Sequence, residues 1–198
     1  MRVIISHYIK DCYILEPLAS ENANDSISVD ESLFSHENNQ QIWVVGLINN
    51  RTRVIRLEIV GDRTSDTMKS IIKYFVPKGN TIITDGAVCY NWIADPIHNY
   101  VHHVHNHGHG DFGYSLDSTS HIEQLWNHIK HLIKSIYNII PNTNFALFLK
   151  EAEFRRNHKK FSKINIIDYF IEACQYVYNV TGINLYDIKN IIELTSNL

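Results

Sequence analysis

Alternating apolar and polar positions predict three β-strands in the first part of the chain. Segments 26–34 and 52–61 alternate with a period of two, and segment 41–48 between them is a short apolar run. The polar NNR sequence at 49–51 separates the last two segments and predicts a tight turn. Connections as short as these favour an antiparallel meander.

The pattern then changes to helical spacing. Apolar positions three and four residues apart run from Met68 to Phe75, after a Thr/Ser/Asp cluster suited to capping and before Pro77. This predicts one helix over 64–76. Two short strands, at 79–86 and 99–107, are predicted next, with a short helix at 87–95 between them.

The longest amphipathic pattern in the chain covers 120–137 and predicts a helix. Apolar residues repeat at three and four positions from Ile122 to Ile136, and the opposite face is polar. Further helices are predicted at 144–158 and 164–180, and the segment 182–198 is predicted to contain a last short helix and a frayed end.

This order of elements predicts an α/β fold, a ribonuclease H-like mixed five-stranded sheet flanked by helices, with extra C-terminal helices. We assign 1–26 to an N-terminal helix (1–16) and a linker remnant, 27–160 to the ribonuclease H-like domain, and 161–198 to a C-terminal helical extension.

Composition narrows the class of protein. With 198 residues, 44% of them hydrophobic, the chain is long enough for one buried core. It contains no apolar run of about eighteen residues, and Lys10 and Asp11 interrupt the start where a signal peptide would be apolar. Three widely spaced cysteines indicate reduced thiols, so we expect an intracellular protein with no membrane segment. The net charge of −3 means that any nucleic-acid binding depends on local basic patches.

Three acids occupy positions that such a fold brings together. Asp30 lies on the first predicted strand, Asp85 ends the fourth, and Glu123 begins the long helix. Carboxylates are the ligands that Mg²⁺ and Mn²⁺ prefer, and two such ions roughly 4 Å apart promote in-line phosphoryl displacement. The arrangement predicts a two-metal site for nuclease or strand-transfer chemistry.

Each acid also has an ordinary structural interpretation. Asp85-Gly86 is a common turn dipeptide, and Asp30-Glu31 is compatible with a solvated strand edge. The spacing from Ser120 to Glu123 fits a capping box, in which the glutamate satisfies backbone donors at the helix start.

Eight of the twelve histidines fall within 102–131, which raises the alternative of a zinc site. Alternate histidines from His103 to His109 would share one face of a strand, but Gly108 and Gly110 interrupt it, and such segments often bind metals adventitiously. Three more are interpreted as exposed helix positions: His121, His128 and His131.

Six motifs occur in one order between about residues 27 and 158. They comprise Ser28-Val29-Asp30-Glu31-Ser32; Asp62, Arg63 and Thr67; Thr81-Ile82-Ile83 with Asp85, Gly86 and Tyr90; Tyr100, His102, Asn106 and His107; Thr119, Ile122, Glu123, Trp126 and Lys130; and Glu151, Phe154, Arg155 and Asn157. In these motifs the chain resembles the DDE catalytic domain of the Merlin group of DNA transposons and their bacterial insertion-sequence relatives, the ISXO2-like transposases.

The resemblance implies metal-dependent cleavage of DNA at transposon ends and attack of the freed 3′-OH on target DNA. Asp30, Asp85 and Glu123 would be the catalytic residues and the ligands of Mg²⁺ or Mn²⁺. The expected partners are transposon-end and target DNA, the active form is expected to be a homo-oligomer, and a eukaryotic host would require location in the nucleus. The predicted DNA contacts are Lys130, which otherwise lies on a solvated helix face, with Lys134, Arg63 and His107.

Departures from the family pattern support a second hypothesis. Relatives carry an N-terminal DNA-recognition module and a basic stretch after the first acid, whereas here a linker-like remnant precedes Asp30 and LFSHENNQQ follows it. Ser118 and Ser120 replace the usual His and Asn. The alternative is therefore a catalytically inactive, decayed or captured transposase derivative that binds DNA or protein.

Overall fold

The structure is a computed structural model that describes residues 18–19, 25–35, 41–105, 120–137 and 145–157. The predicted N-terminal helix and the helices predicted after residue 160 lie outside these ranges. In chain order the elements are β1 (Ser26–Ser35), β2 (Gln41–Asn49), β3 (Ile55–Val60), α1 (Ser65–Phe75), β4 (Thr81–Thr84), the 3₁₀ segments Val88–Ala94 and Pro96–His98, β5 (Val101–Val104), α2 (Ser120–Tyr137) and α3 (Phe145–Asn157).

The strands form one five-stranded mixed sheet in the order β3-β2-β1-β4-β5. β1 pairs antiparallel with β2, and β2 pairs antiparallel with β3, as the predicted meander requires. β4 joins the other side of β1 in parallel, and β5 continues in parallel beside β4. This order and these directions are the ribonuclease H-like arrangement, so the predicted fold class is confirmed.

Most predicted elements agree with the observed ones, with two local differences. Thr64 caps α1 by accepting a hydrogen bond from the Thr67 amide, as the polar cluster before the helix predicts. The predicted short helix is a 3₁₀ segment, and the turn after β2 extends to Arg53, whose φ of 66° lies in the left-handed region.

Side chains on the two faces of β1 belong to two separate hydrophobic clusters. Ile27 and Val29 pack on one face with Met68 and Ile72 of α1. Phe34 packs on the other face with residues of α2 and α3. Alternation along the strand sends neighbours to opposite faces, so Asp30 lies on the α2 side and Glu31 on the α1 side.

Two residues of the segment predicted to be a linker belong to the core. Leu18 and Ala19 are buried in the cluster on the α1 side of the sheet. The Asn49 side chain donates a hydrogen bond of 2.9 Å to the Leu18 carbonyl and another of 3.1 Å to Asp25 Oδ2. The end of β2 therefore holds this part of the chain against the domain.

Polar side chains of α3 cover the free edge of β3. Asn157 accepts from the Ile55 amide and donates to the Ile55 carbonyl, at 2.8 and 3.1 Å. Glu153 accepts from the Leu57 amide at 2.8 Å, and Lys150 donates to the Leu57 carbonyl at 2.8 Å. An exposed strand edge is a template for pairing with another chain, and these contacts block it over Ile55 and Leu57.

Gly46 on β2 leaves the space that Trp126 of α2 occupies. A Cβ atom at Gly46 would lie 2.7 Å from two carbons of the Trp126 ring and 3.3 Å from a methyl of Ile122. The ring is almost fully buried and cannot move aside at low cost. The glycine therefore sets how closely α2 approaches the sheet.

Substitution Gly46→Ala is expected to lower the free energy of unfolding by about 1–3 kcal/mol, because the added methyl overpacks this contact. Gly61→Ala is the matched control, since a Cβ there meets nothing within 4 Å. Urea denaturation followed by circular dichroism measures both variants. Equal midpoints for the two variants would show that the ring has room to shift.

None of the helices in the described part of the chain combines the length and the apolar character needed to cross a membrane.

Candidate active site

Asp30 and Asp85 lie near each other, just beyond the paired part of the parallel strands β1 and β4. The pairing extends to Ser28 and Ile83, Asp30 lies two residues further along β1, and Asp85 directly follows β4. Their charges interact, because Asp85 contributes to the raised pKa of Asp30. The sheet therefore brings two of the three predicted acids together.

Asp30 is a partly buried carboxylate with a raised proton affinity. Burial raises its pKa to about 6, and the negative charges of Glu31 and Asp85 add to the increase. The increase is opposed by a hydrogen bond of 2.9 Å from Trp126 Nε1 to Asp30 Oδ2. The Asp30 carboxylate is thus partly buried and lies close to the negative charges of Glu31 and Asp85.

Asp85 is exposed and is held by its own turn. Its Oδ1 accepts a hydrogen bond of 3.0 Å from the Ala87 amide, and Gly86 has a φ of 84°, which favours glycine. The turn interpretation of Asp85-Gly86 is therefore correct, and it is compatible with metal binding because the side chain remains accessible. His102 on β5 supports the turn through Thr84, whose Oγ1 lies 2.9 Å from His102 Nε2 and accepts from the Gly86 amide.

Glu123 lies in the first turn of α2, on the exposed side of the helix. α2 packs on β1 and β2, and Trp126, one turn after Glu123, contacts Asp30. Among the described residues, no three side chains of His, Cys, Asp or Glu are placed to hold one metal ion. In the described part of the chain, Asp30, Asp85 and Glu123 therefore do not form a ready three-ligand metal site. The residue before Ser120 lies outside the described ranges, so the capping alternative stays open.

The two aspartates suit a hard divalent cation. Both supply carboxylate oxygens, the donors that Mg²⁺ and Mn²⁺ prefer. Burial is the main cause of the raised pKa of Asp30, and a positive ion beside both carboxylates would offset the loss of solvation as well as the smaller repulsion from Asp85. The donor type and the concentrated charge therefore fit the predicted metal.

A second polar cluster lies on the opposite face of β1. The Glu31 side chain, which is only 6% exposed, accepts a hydrogen bond of 2.6 Å from the Tyr90 hydroxyl, and Arg63 Nη1 lies 3.3 Å from its other oxygen. The Arg63 guanidinium also stacks 3.9 Å from the centre of the Trp43 ring. Arg63, predicted to contact DNA, thus makes these two contacts within the domain, and its DNA contact stays a prediction.

The other predicted DNA contacts are described only in part. Lys130 is exposed on α2, with its Nζ 5.6 Å from the centre of the Phe34 ring. Lys134 lies within α2, but its side chain is not among the described parts, and His107 lies outside the described ranges.

Of the three histidines on α2, one differs from the sequence prediction. His128 and His131 are exposed, as expected, whereas the expectation for His121 is wrong. His121 is partly buried, and its Nδ1 lies 3.1 Å from Asn50 Oδ1. Helical periodicity places it at the rim of the apolar face, where the turn after β2 covers it. Of the alternate histidines proposed for zinc, His107 and His109 lie outside the described residues.

Sequence reasoning missed three residues around Asp30: Trp126, Gly46 and Glu31. In the sequence Trp126 is one position of a longer motif, and Glu31 is the neighbour of a candidate ligand. An isolated glycine within the apolar run of β2 was the one available signal for a close approach at Gly46. None of these patterns indicates which side chains meet.

A ribonuclease H-like sheet with one aspartate on β1 and another directly after the parallel strand β4 is the arrangement expected of a transposase-type catalytic domain. The ISXO2-like transposase domain matches residues 20–157, and the chain belongs to this family. An uncharacterized transposase-like protein of Haemophilus influenzae is 31% identical over 117 residues, which cover 58% of this chain and 91% of that protein. The family is one of DDE transposases, which are nucleases and DNA strand transferases.

Solved structures of viral integrases are similar at low sequence identity. The HTLV-2 integrase catalytic core domain in complex with magnesium has a TM-score of 0.49 and 11% identity, over 67% of this chain and 85% of that chain. A simian T-cell lymphotropic virus intasome in complex with the PP2A regulatory subunit B56 gamma has a TM-score of 0.49 and 17% identity, over 71% of this chain and 50% of that one.

Proposed function

We propose that this domain cleaves DNA and transfers DNA strands in transposition, with Mg²⁺ or Mn²⁺ held by Asp30, Asp85 and Glu123. The observation that carries the proposal is the pair of neighbouring carboxylates, with Asp30 on β1 and Asp85 directly after the parallel strand β4. Burial raises the pKa of Asp30, and the negative charges of Glu31 and Asp85 add to the increase. Repulsion of this kind costs stability in the metal-free protein, and a cation site is a functional reason for retaining it.

The roles of the three acids follow from their positions. Asp30 is fixed on the sheet and supplies the partly buried ligand, while Asp85 supplies an accessible ligand on a rigid turn. Glu123 is the third ligand in the proposal and joins the pair through a change of its side chain or of the start of α2. Two divalent ions roughly 4 Å apart would activate the attacking oxygen and stabilise the leaving oxygen in an in-line displacement at phosphorus.

Lys130 is the proposed phosphate contact on the same helix as Glu123. It lies two helical turns after Glu123 on the same side of α2, and it is exposed. A lysine at this place offsets the repulsion between DNA phosphate and the acidic site. Lys134, Arg63 and His107 complete the proposed set of DNA contacts.

Transposon ends and target DNA are the proposed partners, and a homo-oligomer is the proposed active form. Two transposon ends must be cut, and one domain supplies one set of acids, so two copies of the chain serve the two ends. In a eukaryotic host this work takes place in the nucleus.

Incubation of the purified chain with labelled duplex DNA and Mn²⁺ tests the proposal. We expect nicking by the wild-type chain and by Asp95→Asn, and none by Asp85→Asn. Asp95 is the matched control because it is also exposed and caps its own turn, accepting from the Ile97 amide at 3.0 Å. Both substitutions keep an oxygen that accepts this hydrogen bond and remove one charge.

Activity that survives in Asp85→Asn would contradict the proposal. A chain that binds the DNA without nicking it, in Mn²⁺ or Mg²⁺, would instead support the inactive derivative that binds DNA.

A further inference from the structure

We propose that Trp126 is a positioning residue that orients the Asp30 carboxylate toward Asp85, and that Gly46 makes this contact possible. The inference rests on the proposed metal site and adds a residue that acts through Asp30 rather than on DNA or metal. It starts from the hydrogen bond of 2.9 Å that Trp126 Nε1 donates to Asp30 Oδ2 across 96 residues of sequence.

The Trp126 ring is held in place from several sides. It is only 6% exposed, and its centre lies 6.1 Å from that of Phe34 in an edge-to-face contact. Below it lies Gly46, where a Cβ would approach two ring carbons to 2.7 Å. The ring has one indole N–H, and this packing fixes the direction in which it points.

Gly46 is also the cross-strand partner of Asp30. The antiparallel register pairs the two residues directly, so the ring over Gly46 lies beside the Asp30 side chain on the same face. A side chain at position 46 would fill the space through which the indole reaches Asp30. The glycine and the tryptophan therefore act together.

The hydrogen bond from Trp126 gives the two carboxylate oxygens of Asp30 different surroundings. β2, with Gly46, and β4, with Asp85, flank β1 on opposite sides. A bond from the indole on the β2 side holds Oδ2 there and turns the other oxygen toward Asp85. Without it, the carboxylate is free to rotate and loses the orientation that two ligands of one cation need.

Titration of the metal-free, full-length chain with Mn²⁺ alone, followed by calorimetry, tests the inference. Trp126→Phe keeps most of the ring and removes the N–H, and we expect it to weaken Mn²⁺ binding by about 10-fold or more, as loss of a residue supporting a metal ligand typically does. Trp92→Phe is the matched control, because the buried Trp92 Nε1 has no hydrogen-bond partner among the described residues. We expect it to bind Mn²⁺ like the wild type.

A second control separates positioning from loss of stability. Phe145→Leu disturbs the same hydrophobic cluster, where the Phe145 ring lies 5.4 Å from that of Phe34, without removing a bond to Asp30. A positioning role predicts unchanged Mn²⁺ affinity in this variant. Weakening in Phe145→Leu equal to that in Trp126→Phe would overturn the inference.

The wild-type protein provides a measurement that needs no substitution at Trp126. In NMR spectra the Trp126 indole N–H signal is identified as the one that moves in Asp30→Asn. We expect this signal to shift on addition of Mg²⁺ to the wild-type protein, and we expect the Trp92 indole signal to stay in place. A Trp126 indole signal that does not shift on addition of Mg²⁺ would overturn the inference, even if Trp126→Phe failed to fold.

Failure of this inference is distinguishable from failure of the proposed function. If Asp30→Asn bound Mn²⁺ as tightly as the wild type does, Asp30 would not be a metal ligand, and the proposed metal site would be wrong. If Asp30→Asn lost Mn²⁺ affinity and Trp126→Phe kept the wild-type affinity, the proposed metal site would stand and only the role of Trp126 would be wrong.

Discussion

Replacement of Asp30 by asparagine is expected to abolish Mn²⁺-dependent nicking and, at the same time, to stabilise the metal-free protein. Asparagine keeps the shape of the side chain and an oxygen that accepts the Trp126 hydrogen bond, but it lacks the charge. Loss of the several kcal/mol that a bound metal supplies in the transition state reduces the rate by about 1,000-fold or more.

The gain in stability follows from the raised pKa of Asp30, which changes from 3.8 to about 6 on folding. The folded state therefore favours the protonated acid. The stabilisation of the wild-type protein by this preference is fully present below pH 3.8, the pKa of Asp30 in the unfolded chain. It is lost as the pH rises through about 6, the pKa in the folded protein. Such a shift corresponds to at most about 3 kcal/mol, and solvent near the carboxylate reduces the expected gain in Asp30→Asn to about 1–2 kcal/mol.

Urea denaturation in EDTA at several pH values measures this gain. Asp30→Asn is expected to be more stable than the wild type at about pH 8, and the difference is expected to shrink as the pH falls below about 6. A difference that is constant with pH would mean that ionisation of Asp30 is not its cause. Nicking by the same variant would argue against Asp30 as a metal ligand.

Truncation of Glu153 to alanine is expected to cost about 3–5 kcal/mol of unfolding free energy, the range for removal of one partner from a buried ion pair. Glu153 is buried on α3, and its Oε1 lies 3.7 Å from Nη1 of Arg56, which is also buried. Its Oε2 accepts hydrogen bonds from the Leu57 amide and from Lys150. The substitution removes all three contacts and leaves a buried amide at the edge of β3 without this acceptor.

Glu153→Gln distinguishes the hydrogen bond from the charge. Burial raises the pKa of Glu153 despite its two basic neighbours, so the folded protein gains little from the ionised form. Glutamine keeps an acceptor for the Leu57 amide, and we expect it to cost clearly less than alanine in thermal or urea denaturation. Equal losses in both variants would assign the stabilisation to the charge.

Several local features were predictable from the sequence because they depend on neighbouring residues. The helical spacing over 120–137 predicted the bounds of α2, and the Thr/Ser/Asp cluster predicted the cap of α1. Alternation predicted β1 to within a residue or two. The type of the short helix after Asp85 was less predictable, since its 3₁₀ form arises where the chain packs beside α1.

The identity and the order of the three acids along the chain were predictable, because each acid lies within a short contiguous motif. Their mutual distances were not predictable in the same way. Asp30 and Asp85 come near each other because β1 pairs in parallel with β4, whereas the position of Glu123 depends on where α2 begins, after residues that the structure does not describe. The interpretation of His121 failed for the same reason, since a turn distant in sequence covers it.

By itself, the sequence determined the strand and helix pattern, the family and the choice of carboxylates as the proposed metal ligands. Only the tertiary structure decided that Trp126 bonds Asp30 over Gly46, that Arg63 pairs with Glu31, and that α3 closes the edge of β3. Periodicity records which face of an element is buried, and motifs record residue types along the backbone. Hydrogen bonds between distant elements depend on how closely those elements pack, and a single missing Cβ at position 46 sets that approach for α2.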